Sequence, residues 1–184
     1  PGMFNQVGVL GPEGQELARG DIGEICLRGP NVMLGYWNKP EATAATIIDG
    51  WLHTGDGGYM DEDGFIYIVD RVKDMIISGG ENIYSSEVET VVTQHPDVAQ
   101  CAVIGIPSDE WGETVHAVIV PTAGAQASEL TVEILRDFCK QHIAGYKCPR
   151  SIEMIEALPI SGAGKILKTE LRKPYWEGRD KQVA

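Results

Sequence analysis

The hydrophobic period of this chain changes near residue 70, and that change limits the folds open to it. Before it, short apolar stretches alternate with turn residues. Residues 7–10 run into the turn Gly11-Pro12-Glu13-Gly14, and residues 22–28 (IGEICLR) alternate apolar and polar side chains as a half-buried strand does. Residues 38–41 (NKPE) open a short helix, with Pro tolerated in its first turn, which Asp49-Gly50 ends near Ile48. Asp61-Glu62-Asp63-Gly64 reads as a hairpin turn into a strand at 65–69; its acids lack the spacing of a calcium loop.

Beyond residue 70 strands and helices mix. Residues 75–77 form a short strand and 78–80 (SGG) a loop. Ser85 is placed to cap a helix with Val88, Val91 and Val92 on its apolar face, and His95-Pro96 ends it. Residues 98–106 and 114–121 are strands rich in β-branched side chains. A helix over 131–142 sets Ile134, Leu135, Phe138 and Cys139 on one face; a strand at 151–155, a small-residue loop at 159–164 and a helix at 169–175 follow. The fold class expected is α+β: a β-rich segment over 1–70, a connector at 71–73, and a small domain of a few strands with flanking helices over 74–184.

The 184 residues correspond to one domain and a remainder, and 43% apolar with 23% charged residues is a globular mix. No apolar run approaches the roughly 20 residues of a membrane span. The start carries no basic and apolar signal-peptide regions and no initiator Met, so a cytoplasmic protein and a fragment of a longer chain are expected. A net charge of −12 disfavours nucleic acid as a partner. The charge is uneven: residues 1–144 hold 22 acids against 7 bases, whereas 145–184 hold 5 acids against 8 bases. The basic end either neutralises a phosphate-bearing ligand or forms the solvated faces of a strand and a helix. Four cysteines make no CxxC pair and four histidines no HxxxH group, so no metal site is expected and the thiols are read as reduced.

Three segments could carry chemistry. In Thr54-Gly55-Asp56-Gly57-Gly58, glycines allow close approach of a ligand and Asp56 could accept both hydroxyls of a ribose; the same residues also suit an ordinary turn. Asp70-Arg71-Val72-Lys73-Asp74 is a charged connector, followed by Ser78-Gly79-Gly80-Glu81-Asn82, where a glycine pair could admit an extended ligand; a linker and a tight turn would look alike. In residues 159–165 (PISGAGK), Lys165 follows small residues. A Walker A loop would need Gly at 159 and Ser or Thr at 166, so a P-loop NTPase is disfavoured, but a lysine set against a phosphate is retained.

The order and spacing of these segments resemble the adenylate-forming superfamily of acyl-CoA synthetases, aryl-CoA ligases, peptide-synthetase adenylation domains and luciferases. The runs GYWNKPEAT (35–43), GWLHTGDGGYMDEDGFIYIVDR (50–71), KDMIISGGENIYSSEVE (73–89), VIGIPSDEWGE (103–113) and LPISGAGKILKTELR (158–172) are most similar to fatty acyl-CoA synthetases. The resemblance covers nearly the whole chain, and it is to the C-terminal part of such enzymes. The upstream ATP phosphate loop and acyl pocket are absent.

The resemblance implies that Asp56 and Arg71 hold the ribose of ATP or AMP, that Lys73 is the hinge, and that Gly79, Gly80 and Glu81 line the pantetheine path. It makes Lys165 the catalytic adenylation lysine. It places Trp111, Tyr146, Lys147 and Arg150 around CoA, with a core role for Trp111 equally open. It implies carboxylic acid, ATP, Mg2+ and CoA as reactants, and the missing N-terminal domain as partner. Gly57, Ile160, Ala163 and Cys148 depart from the usual pattern. The activity implied is acid–thiol ligation through an acyl-AMP, with the fragment alone inactive. Delivery to a carrier protein and a noncatalytic binding module are the alternatives. A severed large-domain tail would also expose apolar surface.

Overall fold

The computed structural model describes residues 4–123 and 130–178; the outermost residues of the two expected domains, 1–3 and 179–184, lie outside that range. The chain forms two compact units, one up to Lys73 and one from Asp74. Among the described residues there are two five-stranded sheets and four α-helices, an α+β architecture. No helix among them is long and apolar enough to cross a membrane.

The first unit is an antiparallel sheet. β1 (Gln6–Leu10) pairs with β2 (Gly23–Arg28), β2 with β4 (Trp51–Met60), and β4 with both β3 (Ile47–Ile48) and β5 (Ile66–Arg71). The short helix α1 (Pro40–Thr46) starts at Pro40 and gives way to β3 at Ile47, before the expected end at Ile48. The acidic stretch 61–64 is the β4–β5 turn, closed by the Phe65 amide donating to Asp61 Oδ1 at 2.8 Å. Val9, Leu10, Ile25, Cys26 and Met60 are buried, while Leu34, Trp37 and Ile68 lie open to solvent. One reading is corrected here: residues 54–58 are not a turn but lie inside the ten-residue strand β4. Gly57 and Gly58 pair with β2 on one side and β5 on the other, which keeps the stretch within the strand against its local preference for turns, although Gly55 keeps a left-handed φ of 73°.

The second unit is built on the long hairpin of β8 (Val98–Ser108) and β9 (Gly112–Pro121). β9 also pairs in parallel with β10 (Ser151–Met154), and its first residue pairs with β6 (Ile76–Ser78), which continues to β7 (Glu81–Ile83). Both faces of this sheet are covered, which is why β8 and β9 read as near-continuous apolar runs. On one face α2 (Ser85–Val92) and α3 (Val132–Cys139) bring Val88, Val92, Leu135 and Cys139 against Cys101, Val103, Val115 and Ile119. On the other, α4 (Lys168–Trp176) brings Leu171 and Tyr175 against Ala102, Ile104 and Val118.

Three further readings change. Tyr84, not Ser85, occupies the cap position of α2; Ser85 is the first helical residue and its hydroxyl accepts from Lys168 Nζ at 2.7 Å. α3 ends at Cys139, and Ile134 is half exposed, so the apolar face is carried by Leu135, Phe138 and Cys139. β7 was not expected from the sequence, because three residues are too few to show a period. α4 is tied down by polar contacts: Arg172 donates to buried Asp74 at 2.6 Å, and Lys168 pairs with Glu89 at 2.7 Å. The Tyr175 hydroxyl lies 3.1 Å from His116 Nε2, and His116 Nδ1 lies 2.7 Å from Ser151 Oγ. Burial pushes the His116 pKa below its ordinary value, although Glu153 opposes the shift.

Candidate functional site

In the first unit, Asp56 and Arg71 face each other across the β4–β5 ladder. Their side chains form an ion pair, Arg71 Nε to Asp56 Oδ1 at 2.8 Å, and both remain substantially open to solvent. Arg71 Nε also lies 3.4 Å from the Gly55 carbonyl. Thr54 Oγ1 donates to the Ile25 carbonyl at 2.6 Å and accepts from the Asp56 amide at 3.1 Å. The backbone around Asp56 is thus fixed, and its carboxylate is presented at the surface. Such a carboxylate can accept from paired hydroxyls, with a guanidinium beside it to hold the charge.

Glu24 completes this corner, and sequence reasoning missed it. One of its oxygens accepts from the Gly55 amide at 2.8 Å and the other from His53 Nδ1 at 2.7 Å. Cys26 Sγ lies 3.6 Å from the same ring nitrogen. The available signal was the alternation of residues 22–28, which sets a glutamate on one side of β2 with a fully buried cysteine. Glu24, Cys26 and His53 are also a group able to hold a metal ion among the described residues, which the spacing along the chain could not reveal. In this structure the three side chains form a hydrogen-bonded network. Both carboxylate oxygens are engaged, and burial, reinforced by Glu24, pushes the Cys26 thiol up to about 12. A sulfur-containing set does not suit Mg2+.

Lys73 is exposed within a single 3₁₀ turn, residues 72–74, at the border of the two units. In the second unit, Gly79 and Gly80 form the two-residue turn between β6 and β7, with φ of 61° and 85°. This left-handed pair is the geometry of a tight hairpin turn, and glycine meets it without steric cost. Trp111 lies against the turn: a Cβ on Gly79 would meet Trp111 Cε3 at 2.7 Å, and the Gly79 amide donates to the Trp111 carbonyl at 2.9 Å. The Arg150 guanidinium stands over the Trp111 ring at 4.8 Å. Gly79, Trp111 and Arg150 therefore form one surface, with Gly80 and exposed Glu81 beside it.

Tyr146 and Lys147 stand differently. Lys147 Nζ is bound by both oxygens of Glu87, at 2.7 and 2.8 Å, and is largely covered; Tyr146 is half exposed, its ring 5.9 Å from that ammonium. Lys165 is exposed at the end of a closed turn. The Ser161 amide donates to the Lys165 carbonyl at 2.8 Å, the Lys165 amide lies 3.1 Å from Ser161 Oγ, and Ile160 bridges Ile166. A rigid turn thus presents a flexible ammonium to solvent, suited to meeting a phosphate or carboxylate.

Residues 87–165 match the AMP-binding enzyme C-terminal domain family. The chain is 49% identical to a feruloyl-CoA synthase of an Amycolatopsis species, over 95% of this chain and 35% of that one. It is 44% identical to the fatty acid–acyl-carrier-protein ligase ScoC of Streptomyces coeruleorubidus, over its full length and 34% of that protein. Among solved structures, ATP-bound MatB of Rhodopseudomonas palustris superposes with a TM-score of 0.85 at 38% identity, over 96% of this chain and 35% of that one. The chain spans about a third of the length of the curated relatives it matches.

Proposed function

The chain belongs to the adenylate-forming, AMP-binding superfamily and corresponds to the C-terminal portion of its members, and from that premise we propose that it completes the active site of an ATP-dependent acid–thiol ligase. The first unit is the end of the large nucleotide-binding domain, and the second is the small domain that turns on Lys73. A carboxylate oxygen attacks the α-phosphorus of MgATP, the bond to pyrophosphate breaks, and an acyl-AMP forms. The thiol of CoA then attacks the acyl carbon, the bond from that carbon to the bridging oxygen breaks so that AMP departs with it, and the thiol proton goes to solvent. The acid is a fatty acid and the setting cytoplasmic, which accords with four unpaired thiols.

The observation that carries this reading is the placement of Lys165. An exposed ammonium on a rigid turn can approach the carboxylate and α-phosphate and offset charge developing between them. Asp56 and Arg71 would release each other to take the ribose hydroxyls. The Gly79–Trp111–Arg150 surface suits the thiol substrate: a turn without side chains passes the pantetheine arm, and Arg150 supplies charge for phosphate. Lys147, engaged by Glu87, is the weakest member of the CoA set. A carrier protein is the second receiver supported, through the likeness to the acyl-carrier-protein ligase; the reacting group would again be a thiol on a long arm.

The test is made in the full-length parent enzyme. Lys165→Ala should abolish acid-dependent pyrophosphate release yet leave thioester formation from supplied acyl-AMP near the wild-type rate. Equal loss of both half-reactions would refute the assignment. The 184-residue chain alone should release no pyrophosphate from MgATP with any acid.

A further inference from the structure

We propose that Glu24 is a positioning residue for the nucleotide: its carboxylate spans the Gly55 amide and the His53 ring and so holds Asp56 where it meets the ribose. The inference rests on the ribose role proposed for Asp56. The structural reason lies in the register of β2 and β4. Glu24 pairs with Gly57 and Cys26 with His53, so the single residue between them on β2, Ile25, faces three on β4, Thr54, Gly55 and Asp56, and the ladder slips there. Such a slip leaves backbone groups without their regular partners. The Gly55 amide lies within it, and Glu24 supplies the acceptor at 2.8 Å.

Gly55 itself has φ of 73°, a left-handed residue inside a strand. That twist turns the chain just before Asp56. On the β2 side of the ladder Gly55 has no backbone partner, so its amide relies on the Glu24 carboxylate. The second Glu24 oxygen accepts from His53 Nδ1, which fixes the carboxylate's own orientation. The Cys26 thiol next to the ring stays neutral and takes no proton from the pair. The Thr54 hydroxyl completes the device by joining the Ile25 carbonyl to the Asp56 amide. Every link converges on one carboxylate, and Glu24 is the link that has no substitute in the backbone.

Hydroxyl discrimination by the full-length parent enzyme tests this role. Pyrophosphate release is measured with ATP, 2′-deoxy-ATP and 3′-deoxy-ATP. A charged hydrogen bond to a hydroxyl corresponds to a preference of roughly tenfold or more for ATP over the deoxy analogues. Glu24→Ala should raise the KM for ATP more than it lowers kcat and should shrink that preference to about threefold or less, as Asp56→Ala does. Glu24→Gln should restore it, since the amide oxygen still accepts from Gly55. A purely structural Glu24 would reduce the active fraction and leave the preference intact. Wild-type discrimination in Glu24→Ala, alongside its loss in Asp56→Ala, overturns the inference while sparing the ribose assignment. Full discrimination in Asp56→Ala overturns both. Should Glu24→Ala fail to fold, Glu24→Asp poses the same question, because the shorter carboxylate cannot span both partners; undiminished discrimination there also overturns the inference.

Discussion

Adding one methyl group at Gly79 tests whether the hairpin turn and Trp111 form a single packed unit. Two costs combine at this position. The left-handed φ of 61° costs an L-residue about 1–2 kcal/mol. The new Cβ would also sit 2.7 and 3.1 Å from two Trp111 ring carbons, where carbon pairs settle at about 3.5–4.0 Å. The ring must therefore shift by nearly an ångström and leave its place under Arg150, and overpacking of this kind costs about 1–3 kcal/mol. Gly80 provides the internal control. Its φ of 85° carries the same backbone cost, but a Cβ there meets nothing within 4 Å. Gly79→Ala should thus destabilise by about 2–5 kcal/mol and Gly80→Ala by about 1–2 kcal/mol. Urea unfolding followed by circular dichroism measures both, with the slope unchanged. Repeating Gly79→Ala in a Trp111→Ala background removes the ring, and the excess over Gly80→Ala should vanish. Equal destabilisation by the two alanines, or an excess that persists without Trp111, would refute the packing argument.

Other regions give sharp expectations. Arg172→Ala leaves buried Asp74 without its guanidinium and should cost about 3–5 kcal/mol in the same unfolding assay, whereas Asp74→Asn with Arg172→Met together should recover much of it. A smaller loss for the single than for the double variant would contradict this. His116 is depressed by burial below its ordinary 6.5, so the unfolded chain takes up a proton before the folded one. Its contribution to stability is complete above pH 6.5 and is lost as the pH falls from there through the folded value. The melting temperature of His116→Gln should fall less steeply than wild type below that pH, and parallel curves would count against the assignment. All four cysteines are buried, with Cys26 pushed up to about 12 and Cys139 to about 11, chiefly by burial. Ellman's reagent at pH 8 should label almost none in the folded chain and all four in denaturant; rapid labelling of any one would show an opening that the packing does not predict.

Much of the secondary structure was legible because it depends on local pattern. The alternation in residues 22–28 marks β2, and the apolar runs of β8 and β9 mark strands covered on both faces. The glycine pair at 79–80 marks the turn it makes. Local pattern misled where pairing outweighed preference. Residues 54–58 look like a turn yet lie inside β4, kept there by the pairing of Gly57 and Gly58 with both β2 and β5. Ser85 looks like a cap, yet its hydroxyl is drawn to Lys168, 83 positions away.

The candidate site divides along the same line. The residue types at Asp56, Arg71, Gly79, Gly80 and Lys165 could be singled out from the chain alone, since each sits in a short motif whose backbone demands are local. Tertiary structure alone revealed that Glu24 braces Gly55, that Trp111 packs on Gly79 beneath Arg150, and that Lys147 is bound by Glu87. Hydrophobic period reports how each residue meets its own element's buried face. Which polar group meets which depends on strand register and helix placement, and a one-residue slip would exchange every such partner.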